Sequence, residues 1–141
     1  MLDIVHTVMH QVRSLQYRVL RDGPHDITHM DSRVLGYFGR HPGATQSELA
    51  AFSGRDKAQL ARLVKGLRDR GLLQATADQA DRRNVHLHLT AEGEAVQAAL
   101  RQQAQRLGEK AVAGFSDEDR ARLAGLLRRV QANLDAADPA P

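Results

Sequence analysis

The chain has 141 residues, of which 42% are hydrophobic and 26% charged, the size and composition of one ordinary soluble domain. It contains no cysteine, which excludes a disulfide framework, a thiolate nucleophile and a cysteine zinc site. Aromatic residues make up only 4%, which disfavours a single-strand binding surface built from exposed rings. The net charge of +3 is mild and by itself neither demands nor excludes a nucleic-acid partner.

The first residues and the apolar runs bear on location. Asp3 stands where a secretory signal would carry lysine or arginine, and polar residues interrupt every apolar run well before the roughly 18 residues of a membrane span. We therefore expect a cytoplasmic protein with no membrane partner.

Three helices are predicted in the first part of the chain. Apolar residues recur at steps of three and four through the first 21 residues, at Ile4, Val8, Val12, Leu15 and Val19. Residues 22–24 (DGP) should end this helix, and a second helix fits residues 28–40. Thr45 followed by Glu48 is typical of a capping box, which begins a short helix that ends at Ser53 and Gly54.

A further helix and a hairpin follow. Asp56 is a favourable N-cap, and apolar residues continue at the helical period as far as Gly71, at Leu60, Leu63, Val64 and Leu67. Residues 72–75 are then apolar, residues 78–83 are polar, and residues 85–89 (VHLHL) alternate strictly. This pattern predicts a β-hairpin with a charged tip.

Two long helices should close the chain. Thr90 caps a helix that runs to about Ala113, and Ser116 with Asp119 caps the last helix. The last helix carries one apolar stripe, at Leu123, Leu126, Leu127, Val130 and Leu134. In a monomer, long terminal helices would leave apolar faces in water, so we expect a dimer; packing within one chain is the alternative.

Between residues 44 and 89, the order helix, turn, helix, hairpin is that of a winged helix-turn-helix, whose second helix enters the DNA major groove. If the apolar residues of that helix face the core, five others lie on or beside its outer face: Lys57, Ala58, Gln59, Arg62 and Lys65. Glutamine can contact adenine, and arginine or lysine can donate to guanine or phosphate. Alternatively, the basic residues form only a solvated face, and Gln59 completes a capping box with Asp56.

The basic residues are concentrated in this segment. Residues 55–83 hold eight basic and four acidic side chains, a balance of +4, whereas the remainder holds twelve basic and thirteen acidic ones, a balance of −1. The segment includes Arg55, Arg82 and Arg83, which we add to the candidate DNA-binding residues. The last two could instead pair with Asp78 and Asp81, an exposed interaction of at most about 1 kcal/mol.

Several runs resemble the MarR family of bacterial transcriptional regulators: residues 45–50 (TQSELA), 56–64 (DKAQLARLV), 67–73 (LRDRGLL), 81–83 (DRR) and 89–93 (LTAEG). The resemblance implies one domain over residues 1–141, mainly α with a small β-hairpin wing. Residues 28–90 would form the winged helix-turn-helix, residues 1–22 and 91–137 the interlocking dimerisation helices, and residues 138–141 a flexible tail.

The resemblance also implies a function, that of a homodimeric repressor on a pseudo-palindromic operator in double-stranded DNA, relieved by a small ligand. Either Arg82 or Arg83 would reach the minor groove, with Asp81 holding the shape of the wing. A small aromatic or anionic effector would bind between the dimerisation helices and the winged part. That location points to Tyr17, His29, Met30 and Arg33, whose alternative role is helix packing and solvated surface.

Metal and enzyme chemistry find little support. Histidines occur in three close pairs, but each pair lacks an obvious third ligand: His6 with His10, His25 with His29, and His86 with His88. We therefore expect no metal or other cofactor, and we place His86 and His88 on the outer face of the wing. With no phosphate loop and no nucleophile elbow, we expect no enzyme. The alternative function is a winged-helix protein-interaction module without specific DNA binding.

Overall fold

The computed structural model describes residues 1–22 and 26–137. His25, most of the predicted helix stop at residues 22–24 and the predicted tail at 138–141 lie outside the described residues. The chain divides into two compact units, Met1–Ala104 and the part from Gln105 onward. The described residues form the elements α1 (Leu2–Arg21), α2 (His29–Arg40), α3 (Gln46–Ser53), α4 (Lys57–Asp69), β1 (Leu73–Ala77), β2 (Val85–Leu89), α5 (Ala91–Ala111) and α6 (Asp117–Asp135).

Side-chain caps begin the helices of the winged part. The Oγ1 of Thr45 accepts a hydrogen bond from the Glu48 backbone N–H at 3.2 Å, and Asp56 accepts one from the Ala58 N–H at 3.3 Å. Both predicted N-caps are therefore confirmed. A reciprocal capping box begins α2, where Thr28 and Asp31 each accept from the other's backbone N–H at 3.1 Å.

The core lies where α2, α4 and the hairpin meet. From α2 it takes Val34, Leu35, Tyr37 and Phe38, from α4 Leu60, Val64 and Leu67, and from β2 Leu87. Full burial of one such side chain contributes roughly 1.5–3 kcal/mol. Because the buried residues of α4 are those predicted to face inward, the opposite side of that helix is left to solvent.

The wing is an antiparallel hairpin in which Leu73 pairs with Leu89 and Ala77 with Val85. Its first strand extends two residues beyond the predicted end at Ala75. A short segment before α3 adds to the sheet, since Thr45 forms a bridge with His86. The positive φ of Gly43, +84°, allows the chain to turn into this position just after α2 ends.

The turn between α3 and α4 is set by Gly54. Its φ of +64° places it in the left-handed region, and its N–H donates to the Ala50 carbonyl at 2.9 Å, which ends α3. A glycine is needed here because other residues adopt this conformation at a cost. The predicted break at Ser53 and Gly54 is therefore confirmed.

The long helix α5 begins where the sequence predicts and ends earlier. The Thr90 hydroxyl donates to the Gly71 carbonyl at 2.6 Å and accepts from the Gly93 N–H at 3.0 Å, which joins the start of α5 to the end of α4. The helix ends at Ala111, two residues before the predicted Ala113. Within the described residues, none of the helices combines the length and apolar content that a membrane span requires.

Candidate nucleic-acid interface

The outer face of α4 carries the residues predicted to read DNA. Five exposed side chains occupy it, namely Lys57, Ala58, Gln59, Arg62 and Lys65. The opposite side of the helix is buried in the core through Leu60, Val64 and Leu67. The apolar side therefore fixes the helix, and the polar side faces solvent. Lys65 is bonded to Asp69, one turn further along, at 2.9 Å in an exposed pair. Such a pair contributes less than about 1 kcal/mol and leaves the ammonium group available for exchange of partner.

Arg55 stands in the turn between α3 and α4. Its backbone N–H donates to the Ser53 hydroxyl at 3.3 Å, and the residue is exposed. Its guanidinium is close enough to His29 on α2 to lower the pKa of that ring. The turn thereby places a cation ahead of the first residue of α4.

The wing tip is organised by two aspartates. Asp81 accepts from the backbone N–H of Arg83 at 3.0 Å and from its guanidinium Nε at 3.3 Å. Asp78 accepts from the Ala80 N–H at 2.9 Å, and its own N–H donates to the Asn84 carbonyl at 2.9 Å. The Arg83 side chain is 93% exposed despite its bond to Asp81, and Arg82 is exposed as well. The tip therefore presents two exposed arginines on a turn that is stabilised by the hydrogen bonds of Asp78 and Asp81.

His86 is partly covered by an earlier segment of the chain. The alternation of β2 places His86 and His88 on the outer face of the wing, but both are half-buried. The segment before α3 lies over β2 there: Nδ1 of His86 is 2.7 Å from the Gly43 carbonyl oxygen, and Nε2 is 3.3 Å from Oδ2 of Asp78. Both residues still alternate with the buried Leu87, but the segment that covers them lies about 40 residues earlier in the sequence, so the strand pattern did not reveal their partial burial.

Both partners of this contact have displaced pKa values. The hydrogen bond to the Gly43 carbonyl, followed by that to Asp78, raises the pKa of His86 above its ordinary value. The pKa of Asp78 is lowered, chiefly by the Ala80 N–H and next by His86. The imidazolium and the carboxylate therefore stabilise each other where the strands meet the wing tip.

The predicted effector residues are only partly brought together. His29 and Met30 are half-buried at the start of α2, and Arg33 is exposed one turn later. Tyr17, on α1, is half-exposed, with the Arg21 guanidinium 5.7 Å from its ring centre. Burial lowers the pKa of His29, and the guanidinium groups of Arg13, Arg33 and Arg55 lower it further.

Sequence reasoning missed two features near these residues. Arg13 precedes Tyr17 by one helical turn, a spacing that could have revealed it, and it faces the same histidine as Arg33. Arg68 and Gln74 line a shallow cleft of about 450 Å³ between α4 and β1, together with Lys65. Arg68 was not among the candidate contacts, and it adds a cation beyond the outer face of α4. Asp69, which pairs with Lys65, lines the same cleft.

A buried ion pair was also missed. Asp31 is 3% exposed, and its Oδ2 lies 3.1 Å from Nη2 of Arg70 at the C-terminal end of α4. The same arginine donates to the Asp26 carbonyl at 3.4 Å. These contacts attach the end of α4 to the start of α2.

The histidine pairs do not assemble into a larger cluster in the part of the chain that the structure describes. No group of three or more histidine, cysteine or acidic side chains is placed to hold one metal ion there. His6 and His10 are exposed on α1, and His86 has the partners given above.

Known proteins with similar sequences decide the family. The family model of the MarR family matches residues 25–84. The transcriptional regulator PetP of Rhodobacter capsulatus is 32% identical over 114 residues, which cover 74% of this chain and 68% of PetP. The transcriptional regulator HosA of Escherichia coli is 30% identical over 124 residues, covering 86% of this chain and 92% of HosA.

The chain belongs to the MarR family of transcriptional regulators. Its fold agrees with that of MarR: a crystal structure of a mutant MarR from E. coli, complexed with operator DNA, superposes with a TM-score of 0.72. The two share 26% sequence identity, and the match covers 91% of each chain. The predicted winged helix-turn-helix class, with helices at both ends, is thereby confirmed for this MarR-family regulator.

Proposed function

We propose that this regulator is a homodimeric repressor that binds a pseudo-palindromic operator in double-stranded DNA and is released by a small ligand. The observation that carries the DNA-binding part is the exposed basic face of α4, with Lys57, Gln59 and Arg62 free of the core. In a winged helix-turn-helix, that face is the one inserted in the major groove. The MarR mutant of similar fold was crystallised with operator DNA, which supports the same use here.

Each side-chain type at this surface has a task that suits its chemistry. Gln59 can pair with adenine through its amide, and Arg62 with guanine through its fork of donors. Arg55, Lys65 and the two wing-tip arginines supply cations for phosphates or for a narrow minor groove. A two-fold symmetric pair of such surfaces would read half-sites about 34–36 Å apart, roughly one turn of the duplex.

The dimer is supported by apolar surface on α1 and, separately, on α6. On α1, Ile4 is 68% exposed and Val8 48%; on α6, Leu127 is 49% exposed and Leu134 62%. On both helices these apolar residues recur at the helical period and so form a stripe along one face. Such a stripe is typical of a helix that packs against a partner, not of one surrounded by water. A partner chain would remove the stripes from water, and we therefore assign residues 1–22 and 91–137 to the dimer interface. Repression is the common action in this family.

The effector is proposed to be a small anion, preferably aromatic. Its site would include His29, Met30 and Arg33, with Tyr17 at its edge and Arg13 added by the structure. Three guanidinium groups act on one half-buried imidazole at this place, so a carboxylate would find strong donors and little competing negative charge.

A binding experiment tests the DNA assignment. Genomic fragments selected by the purified protein would supply the operator, and fluorescence anisotropy over a range of salt would give the affinity. We expect log K to fall steeply with log salt, and light scattering to give twice the 15.5 kDa of one chain. Wild-type protein that selects no DNA even at low salt would contradict the function and favour a protein-interaction module.

The wing is tested by the double variant Arg82→Ala, Arg83→Ala. We expect a loss of affinity of at least about tenfold and a salt slope smaller by up to about 4, since a dimer would lose four cations. The control is Arg40→Ala, which removes one charge per chain from an exposed position on α2, outside the proposed DNA-binding and dimer surfaces, so that the losses are compared per charge removed. If the wing variant bound the operator as tightly as wild type, or no more weakly than the control, the wing assignment would be wrong.

A further inference from the structure

His86 provides a side-chain contact between the wing and the turn before α3. Both ring nitrogens face acceptors, the Gly43 carbonyl at 2.7 Å and the Asp78 carboxylate at 3.3 Å. A neutral imidazole has one N–H, so one nitrogen would turn a lone pair toward an oxygen. An imidazolium has two N–H groups and satisfies both acceptors. The geometry therefore suits the protonated ring.

Backbone contacts show what this ring holds together. The Gly43 N–H donates to the Leu87 carbonyl, and the Leu87 N–H to the Ala44 carbonyl, each at 2.9 Å. At the other end, Asp78 accepts from the Ala80 N–H within the wing tip. His86 thus lies in a chain of hydrogen bonds that runs from the turn before α3 to the tip of the wing.

We propose that His86 and Asp78 are positioning residues for DNA binding, and that the imidazolium of His86 fixes the wing relative to the turn before α3. Loss of one proton breaks one of the two hydrogen bonds and releases the wing tip from that turn. DNA affinity would then fall as the pH rises. The inference rests on the proposed function, because it concerns the wing as a DNA-contacting element.

The surrounding charges favour this direction. Asp78 and, from α3, Glu48 both raise the pKa of His86, whereas its partial burial opposes them. His88 lies over the same turn, since a Cβ on Gly43 would be 3.3 Å from its Cε1. Two other elements, α2 and β1, also pack against β2. Among the described residues, neither contributes a charged group that shifts the pKa of His86. With a raised pKa, the link is complete below about 6.5, the ordinary value, and is lost as the pH rises through the pKa of the folded state.

Two measurements on the full-length protein test the proposal. NMR would follow the His86 ring and the wing-tip amides from about pH 5.5 to about pH 8.5, with Asp78→Asn and His86→Gln as variants. We expect the wild-type ring to titrate above about 6.5, the Ala80 amide to titrate with it, and Asp78→Asn to lower the ring pKa. Anisotropy at fixed ionic strength should show wild-type affinity falling at least about threefold between pH 6 and 8.

The variants separate a positioning role from a merely structural one. His86→Gln cannot titrate, so its DNA affinity should change by less than about twofold over the pH range in which the wild-type affinity changes. Three results would each overturn the inference. The wild-type ring could titrate at or below about 6.5, the chemical shifts of the wing amides could stay constant while it titrates, or the affinity of His86→Gln could follow the same pH profile as wild type. If wild type bound no DNA at any pH, the proposed function would fail, and the NMR titration alone would decide whether His86 links wing and turn.

Discussion

Replacing Asp31 with alanine should destabilise the winged part strongly. The carboxylate accepts from the Thr28 N–H and from Arg70, both at 3.1 Å. Loss of the cap costs about 1 kcal/mol. Breaking a fully buried ion pair costs about 3–5 kcal/mol, but the Arg70 side chain is 33% exposed, so we take about 2 kcal/mol for this pair. The free energy of unfolding should fall by about 3 kcal/mol, which at this chain length lowers Tm by about 10 °C.

The assay is urea unfolding followed by circular dichroism at one fixed protein concentration, because the stability of the proposed dimer would depend on concentration. Asp31→Asn keeps an acceptor for the cap and removes the charge, so it should cost about 2 kcal/mol. Asp69→Ala breaks the exposed pair with Lys65 and should change stability by less than about 0.5 kcal/mol. If Asp31→Ala were no more destabilising than Asp69→Ala, the reasoning that burial makes this pair important would be refuted.

Two further predictions concern α5 and the effector. Gly93→Ala should lower the Tm, because the new Cβ would collide with the Leu72 carbonyl oxygen. On the same helix, the Cβ of Gly108→Ala meets open space, and this variant should stabilise the protein by up to about 1 kcal/mol. Equal effects of the two variants would contradict the close approach at Gly93. Phenolic acids that raise the Tm of wild type should lose this effect in Arg33→Ala and keep it in Arg40→Ala, an exposed arginine on the same helix. An undiminished shift in Arg33→Ala would exclude that residue from the effector site.

Local chemistry made the helices of the winged part predictable. Thr45 and Asp56 cap the helices they were expected to cap, and Gly54 supplies a left-handed turn between them. The apolar period of α4 also predicted which face is buried, and with it which side chains are exposed. These features depend on residues within one or two helical turns of each other, a range over which sequence patterns carry the physical information.

The missed features are contacts between distant residues. Asp31 and Arg70 are 39 residues apart, and His86 and Gly43 are 43 apart. Neighbouring residues in the sequence do not reveal either pair. Asp31 looks like an ordinary acidic residue in the first turn of a helix, and His86 looks like an ordinary polar residue of an alternating strand. Only the packing of α2 against α4 and of the turn before α3 against β2 makes them partners. The contribution of these contacts to stability depends on how far they are buried, and a sequence pattern does not show which distant residues are buried together.

Both distant contacts attach an element that we propose to contact DNA to an end of α2. Asp31 in its first turn binds Arg70 at the end of α4, and Gly43 just after its last turn binds His86 close to the wing tip. Between these ends, α2 is fixed in the core through Val34, Leu35, Tyr37 and Phe38. Because a close-packed core transmits displacement rather than absorbing it, α2 serves as the common support of the two elements.

This arrangement separates the two proposed controls of DNA binding. An effector held by His29, Met30 and Arg33 would occupy positions on both sides of Asp31, and so would act first on the attachment of α4. Protonation of His86 acts at the opposite end of α2, on the wing. Since the two sites share no residue and no hydrogen bond among the described residues, their free-energy effects on operator affinity should add to within about 0.5 kcal/mol. A cycle of affinities with and without effector, at pH values on either side of the His86 titration, measures this directly, and strong coupling would show that α2 moves as the shared element.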